Sequence, residues 1–486
     1  MALALFGLAL LTRLPFATTN LYAPDSVLYA RGMERFDPFD QRPQPPGYLW
    51  YVLVLRGIDL VTHDPNRAMT ILSALAGAAT VAFVYLLASR LYDERTAKVS
   101  ALFVLTAVTF WAYGGVAYPY TLLAALTTLC ALLFWRAMDP AQPRPSRGLH
   151  LIVASVAWGL AIGFRSDLAI FLAPLWLFAA TRATIATAGL SGAAVAGLVG
   201  LWVFASALAD GGLARFLEAM RIQSKFVDDR YSVFGNGPVA IYRNLYELGR
   251  FLGRGLYFLI PLVVVTVISA EARRIELRDR MRTAFIALWL VTPLAFYVFI
   301  HVGEYGYIFS MLPGLAILAS RGAIALAKGM RMPRTFKWIV MAVVLGNAAI
   351  YLLSDTPLSA RETARHDRGI DEKVAYLASF SPDSTEVVTA YDEVLVDHYL
   401  HGPPVFRYDP VARPDFALPL SCDAPAPAGP CAGMDVDVIL WDDLLRAEGP
   451  GWREVRMPHG ARLRIARAPR SASLRVSEGL GVEIVR

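Results

Sequence analysis

The sequence is poor in charge and in cysteine. Of its 486 residues 18% are charged and 56% are hydrophobic, whereas soluble domains average about 25% charged and about 45–50% apolar residues. Three cysteines are too few for a disulfide scaffold. The 46 basic and 40 acidic residues leave a net charge of +6, but the basic residues punctuate apolar runs instead of forming the clustered face that nucleic-acid binding requires. These features exclude disulfide-rich, disordered and nucleic-acid-binding classes.

Motifs of soluble enzymes are lacking too. The sequence has no glycine-rich phosphate loop, no nucleophile elbow and no Cys/His spacing typical of zinc. The sequence is instead rich in long apolar runs, and its mean hydropathy is +0.46. A helix needs about 20 apolar residues to cross about 30 Å of hydrocarbon. The composition therefore indicates a polytopic membrane protein.

Uncharged runs of suitable length occur at residues 68–89, 99–135, 148–164, 183–209, 255–270, 283–300 and 338–354. The run 99–135 is long enough for two spans, which Gly114, Gly115 and Pro119 separate. Shorter runs at residues 1–12, 168–181 and 305–320 bring the expectation to about 11 transmembrane helices. Residues 1–12 lack the basic n-region and cleavage site of a signal peptide, so we interpret them as a short first span.

The basic loops predict the orientation. They fall on one side when the spans are counted alternately, which makes that side cytoplasmic. These loops are residues 90–98, 136–150, 182, 271–282 and 321–337. The loops 15–66 and 210–249 and the C-terminal tail then lie outside. Residues 45–61 are apolar enough to resemble a span, but Arg56 and Asp59 favour an interfacial helix. The segment 210–249 contains a predicted amphipathic surface helix.

Charges return from about residue 355. The predicted organisation is a transmembrane domain at residues 1–354 and a soluble extracytoplasmic α/β domain at residues 355–486. Predicted strands cover residues 385–391, 436–442, 462–468 and 481–486, and short helices are expected at 395–400 and 443–447. The predicted fold class is thus an all-α polytopic membrane protein with a small C-terminal α/β domain.

The cysteines and histidines of the tail indicate no definite chemistry. Cys422 and Cys431 flank a Pro/Ala/Gly loop. A disulfide between them is permitted in an exported domain, and two free thiols are equally compatible. His398 and His401 follow Asp392 with no convincing metal-site spacing, so solvated histidines are the simpler interpretation.

Asp25, in the stretch NLYAPDSVLYARG, is the first candidate for chemistry. It follows the first span on the predicted external side, where a carboxylate can deprotonate an acceptor hydroxyl as a general base. The structural alternative is an N-cap, because Asp25 and Ser26 precede the apolar-periodic VLYARGM. A second candidate stretch is RPQPPGYLWYVL, residues 42–53, whose aromatic residues also suit an interfacial belt.

The order of several motifs resembles the GT-C superfamily of polytopic glycosyltransferases. These are APDSVLYARG, PPGYLWYVLVLRGID, NRAMTILSALAGAATVAFVYLLASRLY, TFWAYGGVAYPYTL and EYGYIFSMLPGLAIL. The similarity spans roughly residues 10–325 and is nearest to protein O-mannosyltransferases and bacterial aminoarabinose transferases. The resemblance implies a polyprenyl-phosphate or polyprenyl-diphosphate sugar donor on the external face and a catalytic carboxylate in the first loop, at Asp25.

The chain departs from that pattern at three places. Gln44 stands where many relatives have His before Pro-Pro, and Tyr118 lies in the turn where a second acidic residue is common. Asp25 is followed by Ser26, so no acidic pair is present there, and a lone oxygen ligand holds Mg²⁺ or Mn²⁺ poorly. We therefore expect no cofactor and favour a metal-independent reaction, with a divalent metal as the alternative.

The donor phosphate implied by the resemblance needs cations near the interface. Arg165, in GFRSDL, is the first candidate because its forked donors suit phosphate. An internal pair with Asp167 or snorkelling is the alternative. Arg67 and Arg254 begin other spans and are further candidates, or ordinary snorkelling flanks.

Candidates for contacts with the sugar are polar or aromatic residues of the external turns, either lining a cavity or forming an aromatic belt. They are Gln44, Tyr48, Tyr118, Glu304, Tyr305 and Tyr307.

The predicted function is that of an inverting membrane hexosyl- or pentosyltransferase of a bacterial inner membrane. The expected partners are a polyprenyl-phosphate sugar and the bilayer, with an acceptor hydroxyl on lipid, protein or glycan. A lipid or solute transporter and a non-catalytic partner in envelope assembly are the alternatives. Sugar, acceptor and oligomeric state are not encoded in any motif that we identify.

Overall fold

A computed structural model describes residues 1–270, 273, 276–330, 333–400, 402–403, 405–407, 416–420, 435–477 and 480–485. The chain forms two compact units. The first comprises Met1–Thr18 and Tyr29–Glu362, and the second comprises Thr19–Leu28 and Thr363–Arg486. The domain boundaries predicted at residues 354 and 355 stay predictions.

The first unit is helical. Its helices are α1 (Ala2–Arg13), α2 (Pro24–Glu34, whose first residues belong to the second unit), α3 (Leu49–Thr62), α4 (Pro65–Leu91), α5 (Glu94–Thr106), α6 (Val108–Tyr113), α7 (Tyr120–Met138), α8 (Arg144–Phe164), α9 (Leu168–Ala180), α10 (Ile185–Ala209), α11 (Leu213–Arg230), α12 (Val233–Asn236), α13 (Pro238–Leu256), α14 (Leu259–Ile268), α15 (Arg280–Phe299), α16 (Leu312–Gly329) and α17 (Pro333–Leu353). Short 3₁₀ helices cover Leu14–Phe16, Pro38–Asp40 and Tyr305–Ser310.

Six helices of the described chain are long and apolar enough to cross a membrane, namely α4, α7, α8, α10, α15 and α17. Helices α13 and α14 qualify together but are bent by 109° at their junction, and Ala2–Phe16 and Leu168–Ala180 are shorter apolar helices. The expected break in residues 99–135 is present, because α6 ends at Tyr113 and α7 begins at Tyr120. The run 255–270 differs from a straight span, since it contains the bend. The total of about 11 spans stays a prediction.

Acidic caps start several of these helices. The side chain of Asp64 accepts from Arg67 N at 3.1 Å before α4, and that of Asp93 accepts from Thr96 N at 2.7 Å before α5. Each carboxylate satisfies an N–H that has no partner within its helix. Asp64 and Asp93 thus mark where α4 and α5 begin.

Small residues allow close packing in the interior. A Cβ on Gly322 of α16 would lie 2.7 Å from the carbonyl carbon of Leu262 and 2.8 Å from Thr266 Oγ1, both on α14. Glycine therefore lets the two backbones approach, as is common between helices in lipid.

Arg13, at the end of α1, is fully buried. Its Nη1 donates to Ala9 O at 3.1 Å and its Nη2 to Leu105 O at 3.2 Å. Leu105 lies in the last turn of α5, where carbonyl groups carry the negative end of the helix dipole. Backbone carbonyls thus compensate the charge of Arg13.

The second unit carries the strands. After α18 (Ala360–Leu377) come β1 (Thr385–Thr389), α19 (Glu393–Tyr399), β2 (Val405–Arg407), β3 (Phe416–Pro419), β4 (Asp435–Leu440), β5 (Arg446–Glu448), β6 (Arg453–Arg456), β7 (Arg462–Pro469), β8 (Ser473–Val476) and β9 (Gly481–Val485). They form one sheet in the order β2-β1-β4-β7-β6 and another in the order β3-β8-β9-β5. Strand β1 is parallel to β2 and β4.

The predicted fold class is confirmed by these helices and by the small C-terminal sheets. One element was wrong. Residues 443–447 form a turn that leads into β5 instead of a helix, because β5 pairs with β9 in parallel and Arg446 N donates to Leu480 O at 2.8 Å. His401, Cys422 and Cys431 lie outside the described residues.

Two carboxyl groups lie at the carboxyl ends of β1 and β4. Asp442 Oδ2 accepts from Thr389 Oγ1 at 2.6 Å and from Ala390 N at 2.5 Å. Burial, together with the charge of Asp442, raises the pKa of Asp392 to about 7. Because the folded state binds this proton more tightly than the unfolded chain, the stabilisation is complete below about pH 4 and is lost as the pH rises through 7.

Gly322→Ala is expected to destabilise the protein by about 1–3 kcal/mol, because the methyl group must displace the α14 backbone. Gly200→Ala is the matched control, since Gly200 lies in the interior of α10 with no atom within 4 Å of the added Cβ. Thermal unfolding in detergent micelles measures both. Equal melting temperatures for the two variants would contradict the close packing of α14 and α16.

Asp392→Asn is expected to stabilise β1 and β4 relative to the wild type, increasingly as the pH rises from 4 to 8 and by at least about 1 kcal/mol at pH 8. Amide hydrogen exchange of peptides from these strands, compared with the wild type at each pH, measures the difference. Asp443→Asn serves as an exposed control. A difference that does not change with pH would show that Asp392 is already ionised in the folded protein.

Candidate functional site

Arg165 lies in the turn between α8 and α9 and is only 6% exposed. Its Nε donates to Asp167 Oδ2 at 2.9 Å and Oδ1 at 3.2 Å. The sequence raised this pair as the alternative to phosphate binding, and the pair is present. Asp167 bonds only to Nε of the guanidinium. This pair fixes the orientation of the two terminal nitrogens.

Two tyrosine rings flank this guanidinium. Its Cζ lies 4.9 Å from the ring centre of Tyr120 and 5.0 Å from that of Tyr307, and the two rings are 5.6 Å apart. Such cation–π contacts hold a desolvated guanidinium by about 2 kcal/mol or more. The arrangement keeps a positive charge in a buried aromatic environment.

The break between α6 and α7 places Tyr113, Tyr118 and Tyr120 together. The ring of Tyr118 lies 5.8 Å from that of Tyr113 and 5.1 Å from that of Tyr120. Ser73 Oγ donates to Tyr118 O at 2.8 Å, and Thr121 Oγ1 donates to Ser73 O at 2.9 Å. These bonds fix the non-helical backbone of the break against α4, as buried peptide groups require.

The 3₁₀ helix Tyr305–Ser310 contributes Tyr307, the second of the two rings that flank Arg165. Tyr297 Oη donates to Tyr307 O at 2.6 Å, which holds this helix against α15. Glu304, directly before it, accepts from Tyr113 Oη at 3.5 Å. Glu304 and Tyr307 are therefore joined to the cluster of Tyr113, Tyr120 and Arg165.

Tyr305 of the same 3₁₀ helix meets two arginines of α13. Arg254 Nη1 donates to Tyr305 Oη, and the Cζ of Arg254 and of Arg250 lie 5.7 Å and 5.9 Å from its ring centre. Arg250 is also paired with Glu247 at 2.5 Å. Because Tyr305 and Tyr307 are two residues apart, Arg254 and Arg165 approach the same short helix.

Gln44 and Tyr48 pack around Tyr29. Gln44 Nε2 donates to Tyr29 Oη at 3.4 Å, and the rings of Tyr48 and Tyr29 are 5.4 Å apart in a T-shaped arrangement. Gln44 Oε1 is buried and accepts no hydrogen bond from the described residues. An unpaired buried acceptor of this kind is a suitable partner for a ligand hydroxyl group.

Arg67 is exposed and Asp25 is half-buried. Arg67, in the first turn of α4, is 73% exposed and pairs with Asp64 at 3.3 Å. Asp25 is half-buried in the first turn of α2, which begins at Pro24. It belongs to the compact unit of Thr19–Leu28 and the tail. The sequence raised an N-cap as the alternative role of Asp25, but Asp25 lies one residue inside the helix. The helix dipole favours a carboxylate in this first turn.

Sequence reasoning missed Tyr29, Tyr113 and His301. His301 lies between the rings of Tyr231 and Tyr307, at 4.5 Å and 5.3 Å, and its Nδ1 is buried with no hydrogen-bond partner in the described chain. Tyr29 and Tyr113 lie within the quoted stretches APDSVLYARG and TFWAYGGVAYPYTL, but no local pattern distinguishes them or His301, because their contacts arise only from folding. Tyr120 entered the sequence analysis only within the stretch TFWAYGGVAYPYTL. Its place at the start of α7, directly after a break, was the available signal.

Within the described residues, no three His, Cys, Asp or Glu side chains form a group suited to a metal ion. Metal dependence therefore stays as the sequence left it, with a metal-independent reaction favoured as an expectation.

Known proteins are similar to this chain in sequence and in fold. A family model described as dolichyl-phosphate-mannose-protein mannosyltransferase matches residues 43–209, from before α3 to the end of α10. This range contains Gln44, Tyr48, Tyr120 and Arg165. No curated protein sequence matches significantly.

Several solved structures are similar over most of the chain. ArnT from Cupriavidus metallidurans in the apo state has a TM-score of 0.52 at 15% identity and covers 95% of this chain and 97% of its own. The same protein bound to undecaprenyl phosphate has a TM-score of 0.50 at 15% identity, covering 96% of each chain. The Archaeoglobus fulgidus oligosaccharyltransferase, tethered to an acceptor peptide, has a TM-score of 0.52 at 12% identity, covering 84% of this chain and 64% of its own.

At these identities the likeness establishes the fold. The apolar helices and this likeness identify a multi-pass membrane protein. The chain therefore has the fold of the GT-C superfamily of membrane glycosyltransferases, and the resemblance drawn from its motifs is confirmed.

Proposed function

We propose that the protein transfers a sugar from a polyprenyl-phosphate-linked donor to an acceptor hydroxyl group. The buried, tyrosine-flanked Arg165 is the observation that carries the proposal. Two structural neighbours support the donor class, because ArnT was solved with undecaprenyl phosphate and the archaeal oligosaccharyltransferase AglB with a dolichol-phosphate. The proposed sugar is a hexose or a pentose.

Arg165 suits the leaving phosphate for electrostatic reasons. Asp167 takes its Nε–H, so the two terminal nitrogens are the natural donors to phosphate oxygens. Burial strengthens this interaction, because the effective dielectric constant is lower than in water. In this proposal Arg165 stabilises the negative charge that develops on the departing phosphate. Arg254, bonded to Tyr305, and Arg67 are further phosphate partners.

Asp25 is the general base of the proposed reaction. Its carboxylate removes the proton of the acceptor hydroxyl as the oxygen attacks the anomeric carbon, and the bond to the donor phosphate breaks on the opposite face. One displacement of this kind inverts the anomeric configuration. The proposed sugar contacts come from Gln44, Tyr48, Tyr118, Glu304, Tyr305 and Tyr307, whose hydroxyl, amide and carboxylate groups pair with sugar hydroxyls.

The proposed location is a bacterial inner membrane, with the donor entering laterally from the bilayer and the reaction taking place on the external face. The basic loops support this orientation by the positive-inside rule. The acceptor is a hydroxyl group of a lipid, protein or glycan. No cofactor is proposed.

Asp25→Asn is expected to reduce transfer at least about 100-fold, because the amide cannot accept the acceptor proton. The assay follows release of free polyprenyl phosphate from a radiolabelled polyprenyl-phosphate sugar by the purified protein. Glu34→Gln, an exposed change in the same helix α2, is the matched control. Full turnover by Asp25→Asn would exclude this mechanism, and flux across liposomes without cleavage of the donor would identify a transporter instead.

Arg165→Lys is expected to lower kcat/KM for the donor about 10–100-fold, since lysine keeps the charge but loses the planar fork. The exposed Arg456, paired with Glu454, provides the control Arg456→Gln. Titration with undecaprenyl phosphate separates donor binding from turnover. An Arg165→Lys variant with unchanged affinity and rate would assign Arg165 to its ion pair with Asp167 alone.

A further inference from the structure

The segment that carries Asp25 is held by residues Thr363–Arg486 of the second unit, which we call the tail domain. Residues Thr19–Leu28 form one compact unit with Thr363–Arg486, although more than 300 residues separate them in the chain. The hydrogen bonds of this unit identify the side chains that hold the segment.

Asp367, on α18, makes most of these bonds. Its Oδ2 accepts from Thr19 N at 2.9 Å and from Thr19 Oγ1 at 2.8 Å, and its Oδ1 accepts from Asn20 N at 2.8 Å. Two successive backbone N–H groups thus converge on one carboxylate. Such a nest of amides binds an anionic group well, and the hydrogen bonds are charge-assisted.

Further hydrogen bonds join Asn20 and Leu21 to the tail domain. Asn20 Nδ2 donates to Asp371 Oδ1 at 2.9 Å and to Asp367 O at 3.1 Å. Asp371 lies one helical turn after Asp367, so both face the segment. Leu21 N donates to Tyr399 Oη at 2.9 Å, at the end of α19.

The last bond of the series comes from His366. Its Nε2 lies 2.9 Å from Tyr22 O, and because a carbonyl oxygen only accepts, Nε2 carries the proton. The rings of His366 and Tyr22 are 5.0 Å apart. Four consecutive residues, Thr19 to Tyr22, are therefore bonded to α18 and α19.

Asp25 follows closely after the bonded residues Thr19 to Tyr22. Only Ala23 and Pro24 separate Tyr22 from Asp25, and Pro24 has a nearly fixed φ angle. Asp25 then enters the first turn of α2, where Ser26 N donates to Ala23 O at 2.9 Å. A displacement of residues 19–22 is thus transmitted directly to the Asp25 backbone.

We propose that Asp367 is a positioning residue for sugar transfer: it anchors the Thr19–Tyr22 backbone to the tail domain and thereby fixes Asp25. This inference rests on the proposed function for the role of Asp25. It assigns the tail domain a task within the reaction. General-base catalysis depends on geometry, and a misplacement of about 1 Å costs up to about 100-fold in rate.

The test compares Asp367→Ala with Asp435→Asn in the full-length protein. Asp435 is exposed, begins β4 and pairs only with Arg467, at 3.5 Å, among the contacts of the described chain. Amide hydrogen exchange of a peptide covering residues 19–28 reports the anchoring. Steady-state transfer from the radiolabelled donor reports kcat, and titration with undecaprenyl phosphate reports donor affinity.

For Asp367→Ala we expect at least 10-fold faster exchange of residues 19–28 and a 10–100-fold lower kcat, with donor affinity within 2-fold of wild type. Tyr399→Phe removes one acceptor without disturbing α18 and is expected to give smaller changes in the same direction. Asp435→Asn should behave as wild type.

Unchanged exchange in Asp367→Ala would overturn the anchoring, and faster exchange with unchanged kcat would overturn the positioning role. A fall in donor affinity equal to the fall in kcat would assign the defect to general loss of structure. If the wild type transfers no sugar, the proposed function fails by itself, while the exchange of residues 19–28 still decides whether Asp367 anchors them.

Discussion

A guanidinium group removed from water must find its compensation within the protein, and the arrangement around Arg165 follows from that requirement. Asp167 supplies the nearest negative charge. Tyr120 and Tyr307 supply aromatic faces, one from the start of α7 and the other from the 3₁₀ helix before α16. The break just before Tyr120 is non-helical backbone, which a membrane protein tolerates only where it is enclosed by protein or lines a cavity.

Arg13 shows the other solution to the same problem. Backbone carbonyls of α1 and α5 satisfy its terminal nitrogens, and Gly77 and Gly114 leave room for its side chain. Its donors are directed at the scaffold, so it ties helices together. In Arg165, by contrast, Nε is paired with the carboxylate of Asp167. The guanidinium lies between the rings of Tyr120 and Tyr307. The two buried arginines therefore differ in the acceptors that their donors meet.

The apolar runs predicted the long helices well, because about 20 uncharged residues have few alternatives in a membrane protein. The break at Gly114–Pro119 and the main strands of the tail were also predictable, from turn residues and from β-branched alternation. The helix expected at residues 443–447 failed because pairing with β9 outweighs local propensity. The bend between α13 and α14 and the encounter of Tyr29, Tyr113 and His301 with the site depend on tertiary contacts, which have no local signal. Arg165, Tyr307 and Glu304 were candidates from the sequence, and the structure places them in one cluster with Tyr113. Their roles stay predictions.

The link between Thr19 and Asp367 spans 348 positions of the chain. During synthesis the N-terminal segment emerges first, and at about 5–20 residues per second its partner helix follows roughly 20–70 s later. Throughout that interval the amides of Thr19 and Asn20 lack their carboxylate, and the tail sheets do not yet exist. Completion of translation is thus a precondition for the native first loop. A nascent or truncated chain already inserted in the bilayer would hold its apolar helices but not the ordered entrance to α2.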